Sequence, residues 1–357
     1  MALVFIDGFD HYAIADLGKK WTSVATEAGS TLSMDAGRVY GQSLKALRAT
    51  NGKSSSIVKS ITSAYKGIVG FALYMTAYTT LTNGQQRASM AITTLHVAGA
   101  SNTFLLVQSD GTLAVYNNDG IYGFIFGGIF LIAGGSIPLN TWTYLELTWD
   151  YTLSGGTHAS WAIRVNGIEE AAGEFISTRA PVSAVQVLGS STSSYYYNGS
   201  IWIDDLYILG GTTGQVDPYG DVQIQARMPT ADGTNHGGTP STGSDNFAMV
   251  DETLADVSDY VTFPTVGLVD TYATEQVDPG TSIAAIQVST LSNKDEEGSC
   301  AVVASIYHDA AVHDHIQPSG VSITSKFNTF VFETDPDGDA WTDDSFNACE
   351  FGVKKVV

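Results

Sequence analysis

The feature that most constrains this chain is a succession of short apolar runs broken by Asp-Gly, Asn-Gly and Gly-Gly pairs. TFLLVQ and LAVYN (103–117) flank Asp110-Gly111, and WAIRV and IEEA (161–171) flank Asn166-Gly167. Such pairs accept the positive φ that tight hairpin turns require. TWTYLELTWDY (141–151) reads as one long strand. Trp142, Tyr144, Glu146, Thr148 and Asp150 share one face; Thr143, Leu145, Leu147 and Trp149 share the other, more apolar one. A period of two assigns the apolar face to the core. SSSIVKSITSAY (54–65) is rich in β-branched residues and favours a strand over a helical turn.

The run GIYGFIFGGIFLIAGGSI (120–137) lies in a segment with no charge between Asp119 and Glu146. A spanning helix needs about 20 mainly apolar residues without repeated glycine. This run is shorter and carries glycines at 123, 127, 128, 134 and 135. It parses as strands 123–126 and 129–133 around Gly127-Gly128, covered by a second sheet or by another copy of the chain. Phe124, Phe126, Ile129 and Phe130 are the candidate assembly contacts. No membrane insertion is expected, and MALVFIDGFDHY lacks the basic region and apolar core of a signal peptide.

Many short strands between Gly, Asn and Asp turns indicate an all-β chain. Its 357 residues suggest two domains. The break is placed in GGTTGQVDPYG (210–220), giving domains 1–213 and 214–357. Charge changes at the same place. Residues 1–213 carry 11 Lys/Arg against 14 Asp/Glu, whereas residues 214–357 carry 5 against 23. So acidic a surface repels phosphate backbones, and no nucleic acid is expected as a partner. In the second domain DVQIQARMP (221–229) reads as the first strand and TADGTNHGGTPSTGSDN (230–246) as a long polar loop. Strands are expected at 266–274, 282–291, 300–308 and 328–334 and in FGVKKVV (351–357). TDDSFNA (342–348) fits one helical turn capped by Thr342. Cys300 and Cys349 are too few for a disulfide framework; they could pair, but read first as free buried thiols.

FIDGFDHY (5–12), PLNTWTYLELTWDY (138–151), WAIRVNG (161–167) and SIWIDDLYI (200–208) resemble the concanavalin A-like, or LamG-like, jelly roll. GDVQIQARMPTADG (220–233), TPSTGSDNFAMVDE (239–252) and DPDGDAWTDDSFNACEFGVKKVV (335–357) resemble a module of tailed-bacteriophage virion proteins. The resemblance implies a concanavalin A-like jelly-roll sandwich over 1–213, followed by a second, smaller β-sandwich domain over 214–357. It further implies a phage virion structural protein, tail- or neck-associated or decorating the capsid. Its partners would be other copies of itself and other virion proteins, and its location the virion.

The chemical constellations are sparse. ELTWD (146–150) keeps the outer acids of a glucanase-like E-x-D-x-E string, but Thr148 replaces the middle one. Glu146 and Asp150 would also lie about 13 Å apart along a strand, so they read as solvent-facing strand residues. Asp204 and Asp205 are adjacent and should point to opposite faces, one of them serving backbone donors near Asp7 and Asp10. His308, His313 and His315 crowd YHDAAVHDH (307–315), with no third ligand evident beside the pair His313 and His315. DPDGD (335–339) alternates acids as calcium loops do, but Ala340 and Phe346 stand where an EF-hand needs glycine and a bidentate acid. It reads as a tight acidic turn around Gly338. Tyr195 and Tyr197 are the candidate carbohydrate contacts, since exposed aromatic rings stack on sugars. No catalytic, metal or cofactor residue is assigned. The expected function is non-enzymatic assembly on the particle, with a carbohydrate-binding adhesin for host-surface glycan as the alternative.

Overall fold

The structure, a computed structural model, describes residues 2–48, 55–78, 89–97, 102–108, 110–117, 129–131, 137–152, 158–176, 180–188, 199–212 and 217–357. The chain divides into two compact units, residues 1–9 with 21–224, and residues 10–20 with 225–357.

The first unit holds strands β1 (Ala2–Asp7), β2 (Ser23–Thr26), β3 (Ser30–Ala36), β4 (Gln42–Arg48) and β5 (Ser55–Ala64). Then come β6 (Lys66–Met75), β7 (Ser89–Val97), β8 (Thr103–Gln108), β9 (Leu113–Asn117) and β10 (Ile129–Leu131). β11 (Thr143–Asp150), β12 (His158–Val165), β13 (Ile168–Ile176), β14 (Val182–Val187) and β15 (Gly199–Gly211) complete it. One sheet runs β13-β12-β11-β6-β15-β4-β3, with β1 also on β15, and the other runs β10-β9-β8-β7-β14-β5-β2. This is a jelly-roll β-sandwich, as the strand pattern predicts. The expected hairpins form: β8 pairs with β9, and β12 turns into β13 through Asn166 (φ 49°) and Gly167 (φ 79°).

β11 shows how the alternation is used. Thr143, Leu145, Leu147 and Trp149 are buried between the sheets. Trp149 donates its indole N–H to the Ala64 carbonyl of the opposite sheet, and the Tyr151 hydroxyl meets the Thr103 hydroxyl at 2.7 Å. Trp149 lies over Gly67, where a Cβ would stand 2.1 Å from the indole. Glycine there lets the largest side chain of the core sit flat on its neighbouring strand.

The second strand of the 120–137 run is present as β10, paired antiparallel with β9 (Ile129↔Tyr116, Phe130↔Val115). Its first arm, with Phe124 and Phe126, lies outside the described residues, as do the side chains of Ile129 and Phe130 and residues Tyr195 and Tyr197. No helix among the described residues is long and apolar enough to cross a membrane.

The second unit contains α1 (Leu17–Lys20), β16 (Pro229–His236), β17 (Thr239–Pro240), β18 (Val261–Thr262), β19 (Val269–Thr274) and β20 (Ile286–Ser292). β21 (Ala301–His308), β22 (Ala311–Asp314), β23 (Ser319–Gly320), β24 (Lys326–Phe332), α2 (Asp343–Asn347) and β25 (Glu350–Lys355) follow. A six-stranded sheet runs β16-β19-β25-β21-β22 with β23 on β21; β20 and β24 form a separate ribbon. Ile306, Trp341, Phe346, Cys349 and Phe351 form one core, packed by Ile286, Val288 and Phe332 of the ribbon. Thr342 caps α2 in a reciprocal capping box with Ser345, as the sequence predicts. Two expectations fail here. Residues 221–228 form no strand, and the polar stretch 230–246 is not one long loop, because β16 occupies its first half. β16 is an edge strand paired only with β19, so it needs no apolar face and can start at a proline.

Candidate functional site

The outward face of the larger jelly-roll sheet carries the polar chemistry. Even-numbered residues of β11 point to it, and they meet Tyr74, Gly70 and Lys66 of β6 and Trp202 and Tyr207 of β15. Three zones follow one another along β11.

At one end is a row of half-buried rings. Trp142, just before β11, lies 5.5 Å from Tyr74, and Tyr74 lies 5.0 Å from Trp202. Lys45 on β4 sits 4.7 Å from the Trp202 ring centroid. Asp35 accepts from the Trp202 indole N–H at 3.1 Å and from Lys45 at 2.9 Å. Those two hydrogen bonds and the Ala36 amide hold the Asp35 carboxyl at about 2, below the ordinary 3.8. Trp142 immediately precedes β11, Tyr74 lies on β6, Trp202 on β15 and Lys45 on β4, four adjacent strands, so strand pairing sets the spacing.

In the middle is a buried polar cluster. Glu146 is fully buried; one carboxylate oxygen accepts from the Tyr207 hydroxyl and from the Gly220 amide at 2.8 Å. The other, Oε2, has no hydrogen-bond partner among the described residues. Arg38 Nε lies 2.9 Å from Asp205 Oδ2, Nη1 lies 2.5 Å from Asp221 Oδ1, and Nη2 donates to the Val222 carbonyl. Asp205 also accepts from the Ile224 amide at 2.7 Å, and the Tyr219 amide approaches the Tyr207 hydroxyl at 3.2 Å. Residues 219–224 are thereby stitched across the centre of the face. Burial pushes the Asp205 carboxyl up more than Ile224 and Arg38 lower it. Burial likewise drives the Tyr207 and Tyr144 hydroxyls far above their usual range, with the neighbouring carboxylates adding to it.

At the far end is an open groove of about 200 Å³ lined by Thr148, Asp150, Ser160, Arg164, Glu169 and Pro218 among others. Lys66 pairs with Asp150 at 2.9 Å. Burial pushes the Asp150 carboxyl up, but the Thr152 and Lys66 hydrogen bonds outweigh it and hold the group below its usual value. About 26 Å separates Trp142 from Asp150, at the rise of an extended strand.

Several sequence expectations are corrected by this geometry. Glu146 is not solvent-facing: β11 is an interior strand, and residues 219–224 cover its outer side. Glu146 and Asp150 belong to separate networks rather than one pair. Asp204 and Asp205 do not split to opposite faces. A bulge between Asp204 and Tyr207, with Asp205 at φ 49°, breaks the alternation and turns both carboxylates to Arg38. They serve the amides of Arg38 and Ile224, while Asp7 is taken by the Phe9 amide and the Trp21 indole.

No family model matches the sequence, and no curated protein matches it. Among solved structures, the endo-β-1,4-glucuronan lyase of Trichoderma reesei is similar at 15% identity and TM-score 0.41, over 59% of this chain and 96% of that one. The PL-14 alginate lyase of Aplysia kurodai is similar at 10% identity and TM-score 0.39, over 59% and 100%. The binding domain of Paraclostridial Mosquitocidal Protein 1 is similar at 13% identity and TM-score 0.36, over 59% and 49%. The expectation of a non-enzymatic chain is corrected: the similar structures include polysaccharide lyases. Likeness at this level assigns no reaction and no substrate to this chain.

Proposed function

We propose that this chain is a component of a tailed-phage virion, present in multiple copies, whose jelly roll recognises glycan on the host surface. The particle assignment rests on the likeness of 220–233, 239–252 and 335–357 to a virion module. The observation that carries glycan recognition is the ring row Trp142–Tyr74–Trp202, flanked by Lys45 and Asp35. Sugar rings present apolar C–H faces and a hydroxyl rim, which aromatic faces and adjacent charged groups match. The row is a second candidate sugar contact besides Tyr195 and Tyr197, which lie outside the described residues.

Two measurements test the reading. Quantitative mass spectrometry of purified particles should find the chain at fixed stoichiometry; its confinement to infected-cell lysate would remove the particle assignment. Surface polysaccharide from the host should bind the purified chain, with Trp202→Ala weakening it at least about tenfold, roughly 1.4 kcal/mol. Binding unchanged in Trp202→Ala and Trp142→Ala would remove the ring row from the account.

A further inference from the structure

We propose that His308, Asp309 and Asp337 in the second unit bind one divalent transition-metal ion of the zinc class. In the sequence the histidine tract 307–315 and the acidic turn 335–339 stand apart, and neither completes a ligand set alone. The fold joins them. His308 ends β21, Asp309 follows it into the turn to β22, and Asp337 lies in the turn after β24. One ligand atom from each falls within 4.8 Å of the others.

Three observations favour an ion over a mere histidine–aspartate contact. His308 Nε2 stands 3.8 Å from Asp309 Oδ2 and 3.6 Å from Asp337 Oδ2, beyond hydrogen-bonding distance for both. Two donors each about 2.1 Å from a tetrahedral ion are about 3.4 Å apart, so these separations close around a metal with small side-chain shifts. The imidazole is only 13% exposed, and its buried Nδ1 has no hydrogen-bond partner among the described residues. Nε2 is the nitrogen the largely buried ring presents to the carboxylates. Finally, among the described residues neither Asp309 nor Asp337 pairs with a lysine or arginine. Asp335, Asp337 and Asp309 together add to the burial that raises the nearby Cys349 thiol, so the corner is a concentration of uncompensated negative charge.

One imidazole nitrogen and two carboxylate oxygens suit zinc, with a fourth position open to water. Two carboxylates match the ion's double charge. Calcium wants six to eight oxygens, which these three residues do not offer.

Isothermal titration of the full chain with zinc and, separately, calcium tests the site. The expected result is one saturable zinc per chain, at least tenfold tighter than calcium. Affinity falls at least tenfold in H308Q and in D337N, and persists in H313Q. Asp337 is 64% exposed, so D337N keeps its fold and reports on the site even if H308Q does not. In thermal unfolding zinc raises Tm of the unaltered chain and not of D337N. Absence of saturable zinc binding, binding that survives D337N, or binding lost equally in H313Q would overturn the assignment.

Discussion

The Tyr207 ring lies across Gly70 and donates its hydroxyl to Glu146, two strands away. The gap is essential, because a Cβ at Gly70 would stand 2.2 Å from Tyr207 Cε1. Gly70→Ala should therefore push the ring off the carboxylate and cost about 1–3 kcal/mol through overpacking. Tyr207→Phe should cost a similar amount, about 1–3 kcal/mol, by leaving the buried acceptor short of a donor. Urea denaturation at neutral pH measures both. A Gly70→Ala chain as stable as the parent would mean that the ring has another resting place.

Asp35 links the ring row to pH. Its folded value of about 2 lies below the ordinary 3.8, so its stabilising contribution is complete above 3.8 and is lost as pH falls through 2. The carboxylate is 42% exposed, and solvent screening keeps the effect to about 0.2–1 kcal/mol. Asp35→Asn should be less stable than the parent at pH 6, and the difference should shrink as pH falls toward 2. A constant difference across that range would sever Asp35 from the titration.

Arg38 is the principal cation of the covered centre, and it reaches Asp205, Asp221 and the Val222 carbonyl. Arg38→Met should leave Asp205 buried without its counter-charge, at a cost of about 3–5 kcal/mol. Amide exchange at Gly220 and Ile224 should accelerate ahead of exchange in β11. Equal protection in both chains would mean that Glu146 and Tyr207 hold the segment unaided.

The two thiols should differ in reactivity. Burial, with Asp335, Asp337 and Asp309 adding to it, pushes Cys349 up to about 12, so its nucleophilic thiolate is scarce at neutral pH. Cys300 is half-buried. Disulfide-exchange reagents should label Cys300 in the native protein and reach Cys349 only after unfolding. Rapid native labelling at Cys349 would contradict the packing around it.

What could be read in advance follows physical lines. The period of two in 143–150 identifies the residues of β11 that pack between the sheets, and Asn166-Gly167 identifies the turn from β12 to β13, because both signals are local. Glu146 was misplaced because alternation says which side chains share a face, not what lies on top of it. Tyr74, Trp142 and Trp202 are distant in sequence and meet only through strand order, so neither composition nor spacing announces them. The bulge at Asp205 hid in an ordinary strand pattern, since aspartate tolerates positive φ without a sequence marker as plain as glycine. β16 was hidden for a related reason: an edge strand can be polar on both sides.

The stitching of 219–224 onto the sheet has a practical consequence for anyone isolating the jelly roll. A fragment ending at Gly211 would keep every strand of the sandwich yet strip the lid from Glu146, Asp205 and Tyr207. It would open acids matured for dryness to water and leave a sticky polar trench. A fragment extended through Ile224 carries its own cover and should be the better-behaved reagent.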